Sequence, residues 1–152
     1  MQIDKHQIVR AIEPQAGGAI TGDYISLKNV VKCKVVVFIT QANAATVAIT
    51  IEQATNVANS LADSTAITNV AQIWSNLDCA ASNTLEPRTA AVNYTTDAGI
   101  KHKIVVFEID PASLDDTFDC ITVKTGASDV SNITAAWYEL EMKYSGADVI
   151  AD

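Results

Sequence analysis

Residues 32–40 read KCKVVVFIT and residues 101–110 read KHKIVVFEID. Each is a Lys-x-Lys followed by a run of Val, Ile and Phe, the β-branched and aromatic types that fit a pleated surface. Both faces of each run are largely apolar. In the first, Val36 and Phe38 alternate with Val35, Val37 and Ile39. In the second, Val105, Phe107 and Ile109 alternate with Ile104, Val106 and Glu108. A strand with one face in water alternates apolar and polar residues, so these two are predicted to be covered on both sides. The Phe-bearing faces are assigned to the core. The opposite faces, Val35, Val37 and Ile39 with Ile104 and Val106, then need a cover from loops of the same chain or from another subunit. Leaving a large aliphatic in water forgoes roughly 1.5–3 kcal/mol of burial.

Working outward, DYISLKNV (23–30) reads as a strand with Ile25 and Leu27 on one face. After the turn QANAA, the stretch TVAITIEQ (46–53) places Val47, Ile49 and Ile51 on one face and Thr46, Ala48, Thr50 and Glu52 on the other. That is a half-buried alternation, and its nearness to 32–40 suggests a hairpin. IWSN (73–76), AAVNYTT (90–96), CITVKT (120–125) and TAAWYELEMKY (134–144) bring the total to about eight strands separated by turn formers. Residues 54–90 read ambiguously, as a short helix or an irregular loop. No long helical period occurs. The predicted fold is all-β: one β-sandwich or jelly-roll domain over 21–145, an extended N-terminal arm over 1–20 and a frayed tail over 146–152. The arm carries Ile3, Ile8 and Ile12, ends at Pro14, Gly17 and Gly18, and is read as lying over the domain or over a neighbour. In the last strand Trp137 falls on the polar side beside Glu139 and Glu141. It is either laid under a loop or an interface anchor, a role in which Trp is enriched.

Composition narrows the function classes. The chain has 152 residues, enough for one domain with a real core. It holds 15 Val, 16 Ile and 15 Thr, and only 18% of its residues are charged, so the surface is mostly small polar side chains. A net charge of −8 argues against a nucleic-acid groove or an anionic membrane as partner. Cys33, Cys79 and Cys120 are odd in number and far apart, which suits buried free thiols better than disulfides or a zinc site. The opening residues contain no continuous hydrophobic run, and a soluble protein made in cytosol is expected. His6 and His102 neighbour no nucleophile motif, and no phosphate-binding or dinucleotide loop occurs. Asp110, Asp115, Asp116 and Asp119 lack the order of a calcium loop and read as a solvated turn. No enzymatic activity, cofactor or metal is expected.

The stretches ISLKNVVKCKVVVFITQANAATVAITIEQATNVA, IWSNLDCAASNTL and IKHKIVVFEIDPASLDDTFDCITVKTGAS resemble the head decoration, or cement, proteins of tailed bacteriophages over about residues 24–128. The resemblance implies a β-sandwich or jelly-roll subunit on the outer surface of the capsid. There it would bind the major capsid protein and copies of itself, commonly as trimers, and bridge neighbouring capsid subunits without doing chemistry. It carries over no site residues. The candidate interface comes from the strand pattern instead: Ile3, Ile8 and Ile12 of the arm, Val35, Val37, Ile39, Ile104 and Val106 of the two-faced strands, and Trp137. The alternatives are another phage structural component of the head–tail junction or tail, or a carbohydrate-binding sandwich. In the latter, Trp74, Trp137 and Tyr138 would form the platform.

Overall fold

The most apolar run of the sequence is its longest central strand. In the computed structural model, which describes residues 3–58 and 63–149, Val30–Thr40 lies between Ile133–Met142 and His102–Ile109, antiparallel to both. Val37 is opposite Val105 on one side and Ala136 on the other. Numbered along the chain, the strands are β1 (His6–Ala16), β2 (Ile20–Thr21), β3 (Ile25–Ser26), β4 (Val30–Thr40), β5 (Ala48–Ala54), β6 (Thr65–Ala66), β7 (Ala71–Asn76), β8 (Glu86–Ala91), β9 (Asn93–Thr95), β10 (His102–Ile109), β11 (Cys120–Thr125) and β12 (Ile133–Met142). Eight of them are six residues or longer, and short 3-10 turns occur at Ile3–Lys5 and Pro111–Ser113.

These strands form two sheets. The first has the order β1-β12-β4-β10-β7-β8; the second runs β2-β11-β5-β6, with β3 also on β11 and β9 also on β5. Each sheet interleaves early strands with late ones, β1-β12-β4-β10 against β2-β11-β5-β9, and that is the jelly-roll order. The segment β6–β8 is an addition to it, with β7 and β8 widening the first sheet beyond β10.

The core lies between the sheets. Val35, Val37 and Ile39 of β4 and Val105, Phe107 and Ile109 of β10 face Ile49 and Ile51 of β5 and Ile121 and Val123 of β11. The assignment of both Phe-bearing faces to the core is therefore half corrected. Phe107 is fully buried, but Phe38 is opposite Ile104 and points away from the core. The register sets Val36 against Val106 and Phe38 against Ile104, so matching the two similar sequences residue by residue, Phe38 with Phe107, reverses the faces of one strand. Val35, Val37 and Ile39 are thereby covered within the chain by the second sheet.

The alternation in β5 is as expected, but the hairpin with β4 is not formed, because the two strands belong to different sheets. Residues 41–47 are too long for a tight turn and arch across the end of the sandwich. Buried Asn132 shapes the arch: its Oδ1 accepts from Asn43 N at 2.8 Å and its Nδ2 donates to Ala45 O at 2.8 Å. AAVNYTT likewise divides at Val92 into the end of β8 in one sheet and β9 in the other. DYISLKNV holds β3 and, at Val30, the first residue of β4; Tyr24, Ile25, Ser26 and Leu27 are all buried as the chain crosses between sheets. Gly22 in that crossing is required by space, since a Cβ there would sit 2.9 Å from Ala11 O and 3.0 Å from Val123 O.

The opening segment is extended as expected, and its partner is the chain's own C-terminal strand: β1 is the edge strand beside β12, with bulges after Arg10 and Ile12. The tail is tied down through Val149. Ala147 and Val149 pack on the core and Gly146 N donates to Asp4 O at 3.1 Å, while residues 150–152 lie outside the described ones. Tyr138 joins the sheets: its hydroxyl donates to Asp23 O at 2.8 Å and accepts from Val123 N at 3.2 Å.

One turn is strained. Thr117, third residue of the Asp115–Phe118 turn, has φ 78°. A β-branched side chain there costs about 1–2 kcal/mol, whereas Asn accepts that region. Thr117→Asn is expected to raise the unfolding free energy by about 0.5–1 kcal/mol in a urea titration; an equal or lower value would show that the turn stores no strain.

Candidate functional site

The feature that sets this molecule apart from a plain sandwich is the outer face of the first sheet. Register places residues across it in rows. The central row runs Arg10, Trp137, Val36, Val106, Trp74 and Pro87 from β1 to β8. Beside it lies a row of Ala135, Phe38 and Ile104 ending at Asn76. On the other side the rows turn polar: Ile8, Glu139, Lys34, Glu108 and Gln72, then His6, Glu141 and Lys32. The face is thus apolar toward one end of the strands and charged toward the other.

Burial follows from this layout. Val36 and Val106 are only 7% exposed although no second sheet covers them. Larger side chains flank them in their own row and the next, and Trp74, Trp137, Phe38 and Ile104 are themselves half-buried. The indole of Trp137 donates to Glu139 Oε1 at 3.4 Å, whereas Trp74 Nε1 is buried without an acceptor. At the far end the His102 ring stacks on Phe38 with centroids 6.1 Å apart, and its Nδ1 is 3.2 Å from Thr40 Oγ1. Over the charged rows opens a groove of about 770 Å³ lined by His6, Lys32, Lys34, Glu108, Glu139 and Glu141 among others. Lys32, Lys34, Glu108 and Glu141 are exposed and join none of the ion pairs among the described residues, although Lys34 is directly across from Glu108 and Glu139.

The structure divides the candidate interface residues. Ile8 (73% exposed), Ile104, Val106 and Trp137 share the outer face. Val35, Val37, Ile39 and Ile12 do not: all four are buried in the core, where no partner reaches them, because antiparallel register turns them inward. Ile3 belongs to the first 3-10 turn, and its side chain lies outside the described ones. The residues that sequence reading left out of the candidate interface are Val36 and Phe38, assigned to the core, and Trp74, placed only on the alternative carbohydrate platform. Only the strand register reveals them. Of the carbohydrate platform, Trp74 and Trp137 do share a face, with two valines between them, while Tyr138 points into the core.

Elsewhere, polar groups are occupied with one another. At the end of the core Lys103 is fully buried, and its Nζ donates to Gln41 Oε1 at 2.9 Å, Asp97 O at 2.8 Å and Asp97 Oδ1 at 2.6 Å. Three acceptors satisfy all three ammonium protons, which is what a buried charge needs. A neighbouring cavity of about 350 Å³ is lined by Ser75, Asp78, Glu86, Arg88, Asp97 and Lys101 among others. In it Lys101 pairs with Asp78 and Arg88 Nε donates to Ser75 Oγ at 2.7 Å. Burial pushes the Cys33 thiol up and the Cys120 thiol up to about 12, so both are protonated and poor nucleophiles. His6 and His102 sit at opposite ends of the outer face. Among the described residues no group of three or more His, Cys, Asp or Glu could hold a metal, and no helix is long and apolar enough to cross a membrane.

No protein-family model matches the sequence, and no curated protein matches it. Among solved structures the chain is similar to the crystal structure of SPBc2 prophage-derived protein YomS, with a TM-score of 0.50, 9% sequence identity, and coverage of 89% of this chain and 92% of that one. At that identity the likeness is one of fold, and it extends over nearly the whole of both chains.

The Lys103 cluster predicts how stability responds to acid. The hydrogen bond from Lys103 holds the Asp97 carboxyl below its ordinary value of 3.8. A carboxyl lowered on folding stabilises the fold above its unfolded value, and that contribution is lost as pH falls through the folded one. The melting temperature should therefore fall on acidification below about pH 4. Asp97→Asn should make that fall shallower, Asp78 and Asp129 (also lowered) supplying the remainder. An identical acid slope in the variant would remove Asp97 from this role.

Proposed function

We propose that this chain is a non-enzymatic virion protein that decorates and stabilises a bacteriophage capsid by bridging neighbouring subunits of the major capsid protein. The observation that carries the reading is the outer face of the β1-β12-β4-β10-β7-β8 sheet. It presents two tryptophans, Phe38 and Ile104 beside exposed charges that form no ion pair among the described residues. Aromatic anchors with a charged rim are the make-up of a protein–protein contact rather than of a substrate pocket. Two further points support it. Jelly rolls recur in viral capsid domains, and the similar fold of YomS belongs to a protein described as prophage-derived. The sequence resemblance to decoration proteins adds the position on the outer surface of the head and the grouping into trimers on the particle. Each contact would be shallow, and simultaneous engagement of several capsid subunits would supply avidity.

A second reading, a carbohydrate-binding module, has one observation in its favour: Trp74 and Trp137 lie on one face. Their separation by β4 and β10, with Val36 and Val106 between, makes a broad contact surface and no sugar-sized cleft.

The deciding experiment uses particles of the phage that encodes the chain. Quantitative mass spectrometry should find the protein at a copy number that scales with capsid subunits, and adding it to particles that lack it should raise the temperature at which they release DNA. Copy number matching a single ring would assign it to the head–tail junction or tail. Absence from particles, together with retention on a glycan array that is lost in Trp74→Ala, would replace the proposal with the second reading.

A further inference from the structure

We infer that the polar cavity of about 350 Å³ beside the β7–β8 edge binds a neutral saccharide unit. The inference does not depend on the decoration reading, and the Trp74–Trp137 platform has no part in it. Register explains where the site lies. Ile73 is opposite Arg88 and Ser75 opposite Glu86, so both charged side chains stand on the core side of β8. Pro87, opposite Trp74, belongs to the outer side. The remaining walls are Asp78 with its neighbours in the 77–84 segment, and Asp97, Gly99 and Lys101.

Charge is concentrated at this cavity in a chain that is poor in charge. Of 10 basic and 18 acidic residues, Arg88, Lys101, Asp78, Glu86 and Asp97 line it together, and Lys103 stands behind Asp97. Each carboxylate has its own cation: Asp78 pairs with Lys101, Glu86 with Arg88 and Asp97 with Lys103. With the charges balanced, the cavity offers no advantage to a phosphate, a nucleotide or another ion. An apolar ligand would strip water from these groups and return no hydrogen bonds, which is costly. A sugar ring meets both conditions, since it is uncharged and each hydroxyl can donate and accept.

The walls are held in place before any ligand arrives. Arg88 Nε donates to Oγ of fully buried Ser75 at 2.7 Å, and its Nη2 donates to Glu86 Oε2 at 3.1 Å. Buried Asn76 clamps the 77–84 segment: its Oδ1 accepts from Asp78 N at 2.9 Å and its Nδ2 donates to Ser82 O at 2.6 Å. Asp97 Oδ1 accepts from buried Lys103 Nζ and from Gly99 N at 2.9 Å. Such preorganisation lowers the cost of ordering the site on binding. The same side chains keep groups in reserve. Asp97 Oδ2, Glu86 Oε1 and Arg88 Nη1 make no hydrogen bond among the described residues, which leaves two acceptors and a donor for a ligand. Gly99 keeps its wall open, since a Cβ there would stand 3.0 Å from Asp97 Oδ1. The volume falls at the small end of ligand clefts, which run from about 300 to 1,000 Å³, and suits roughly one or two sugar rings. With little apolar surface to bury, a single sugar should bind with a Kd of about 1 mM.

Saturation-transfer NMR of the full chain tests this. The probes are the common neutral monosaccharides (glucose, galactose, mannose, N-acetylglucosamine), with glucuronate, glucosamine, sialic acid and free amino acids as charged controls. At least one neutral sugar should receive saturation, and the charged controls should not. Gly99→Leu fills the cavity and should abolish the signal, and Glu86→Ala should weaken binding about tenfold. Trp137→Ala, on the outer face, should leave it unchanged. Circular dichroism and melting show that each variant remains folded. A glycan array bearing the bound sugar at chain ends then separates a glycan terminus from a free sugar as the source; retention, or its absence, leaves the site assigned. No response from any neutral sugar, a stronger response from a charged control, or binding that survives in folded Gly99→Leu overturns the inference. Loss of binding in folded Trp137→Ala overturns it too and moves the sugar to the outer face. Capsid occupancy is measured in parallel for the wild type and Gly99→Leu, and should be equal. Sugar binding without capsid binding removes the decoration reading alone, and capsid binding without sugar binding removes this one alone.

Discussion

Everything in this fold depends on the register of β4 between β10 and β12. With Val37 set against Val105 and Ala136, the odd-numbered residues of β4 face the second sheet and the even-numbered ones face outward. A slip of one residue would exchange the faces, sending Lys34 and Lys32 into the core and Ile39 into solvent. The core residues alone make that register strongly preferred, since fully burying each of several large aliphatics is worth about 1.5–3 kcal/mol. Two polar devices fix it further. Tyr138 bonds across to the second sheet from β12. Asn132 ties the 41–47 arch to the residues that lead into β12.

Much of this was legible in the sequence, and the part that was not has a common cause. Period-two alternation identified β5, its inward Ile49 and Ile51, and the general all-β sandwich. Alternation is a local signal. It states which residues share a face but not which sheet a strand joins or which face looks inward when both are apolar. The supposed β4–β5 hairpin and the inward Phe38 are errors of that kind. Sequence order brought β4 and β5 together and similarity brought β4 and β10 together, whereas the fold pairs β4 with β10 antiparallel. Ile104, Val106 and Trp137 were traceable because each is apolar next to charged neighbours on the same face. Trp74 could not be placed on this face because β7 belongs to the β6–β8 addition, where no period shows which way its residues point.

Lys103 shows the same limit for polar residues. In the sequence it is half of a Lys-x-Lys that does not tell its two lysines apart, yet it is fully buried while Lys101 remains at the surface. The difference is parity: Lys103 shares the inward face with Val105 and Phe107. Burying an ammonium is tolerable here because Gln41 and Asp97 supply every acceptor it needs. Gln41 is in turn held by Thr96, whose hydroxyl donates to Gln41 Oε1 at 2.9 Å and accepts from Val47 N at 2.9 Å. The open end of the sandwich is thus closed by a satisfied polar plug that joins the strand starts of β5 and β10.

The outer face then poses an energetic question that its composition answers. Val36 and Val106 are already 7% exposed, so covering them again yields little. The apolar gain available to a partner comes from the half-buried rings and Ile104 around them, together with Ile8 at the rim. That is enough for a contact but not for indiscriminate sticking, and a net charge of −8 opposes casual association of like chains. Direction must therefore come from the few exposed charges beside the apolar rows, which favour partners whose charges fall in register. Lys34 and Lys32 are exposed cations in an acidic protein: Lys34 lies between Glu108 and Glu139 and Lys32 across from Glu141, yet neither forms an ion pair with them.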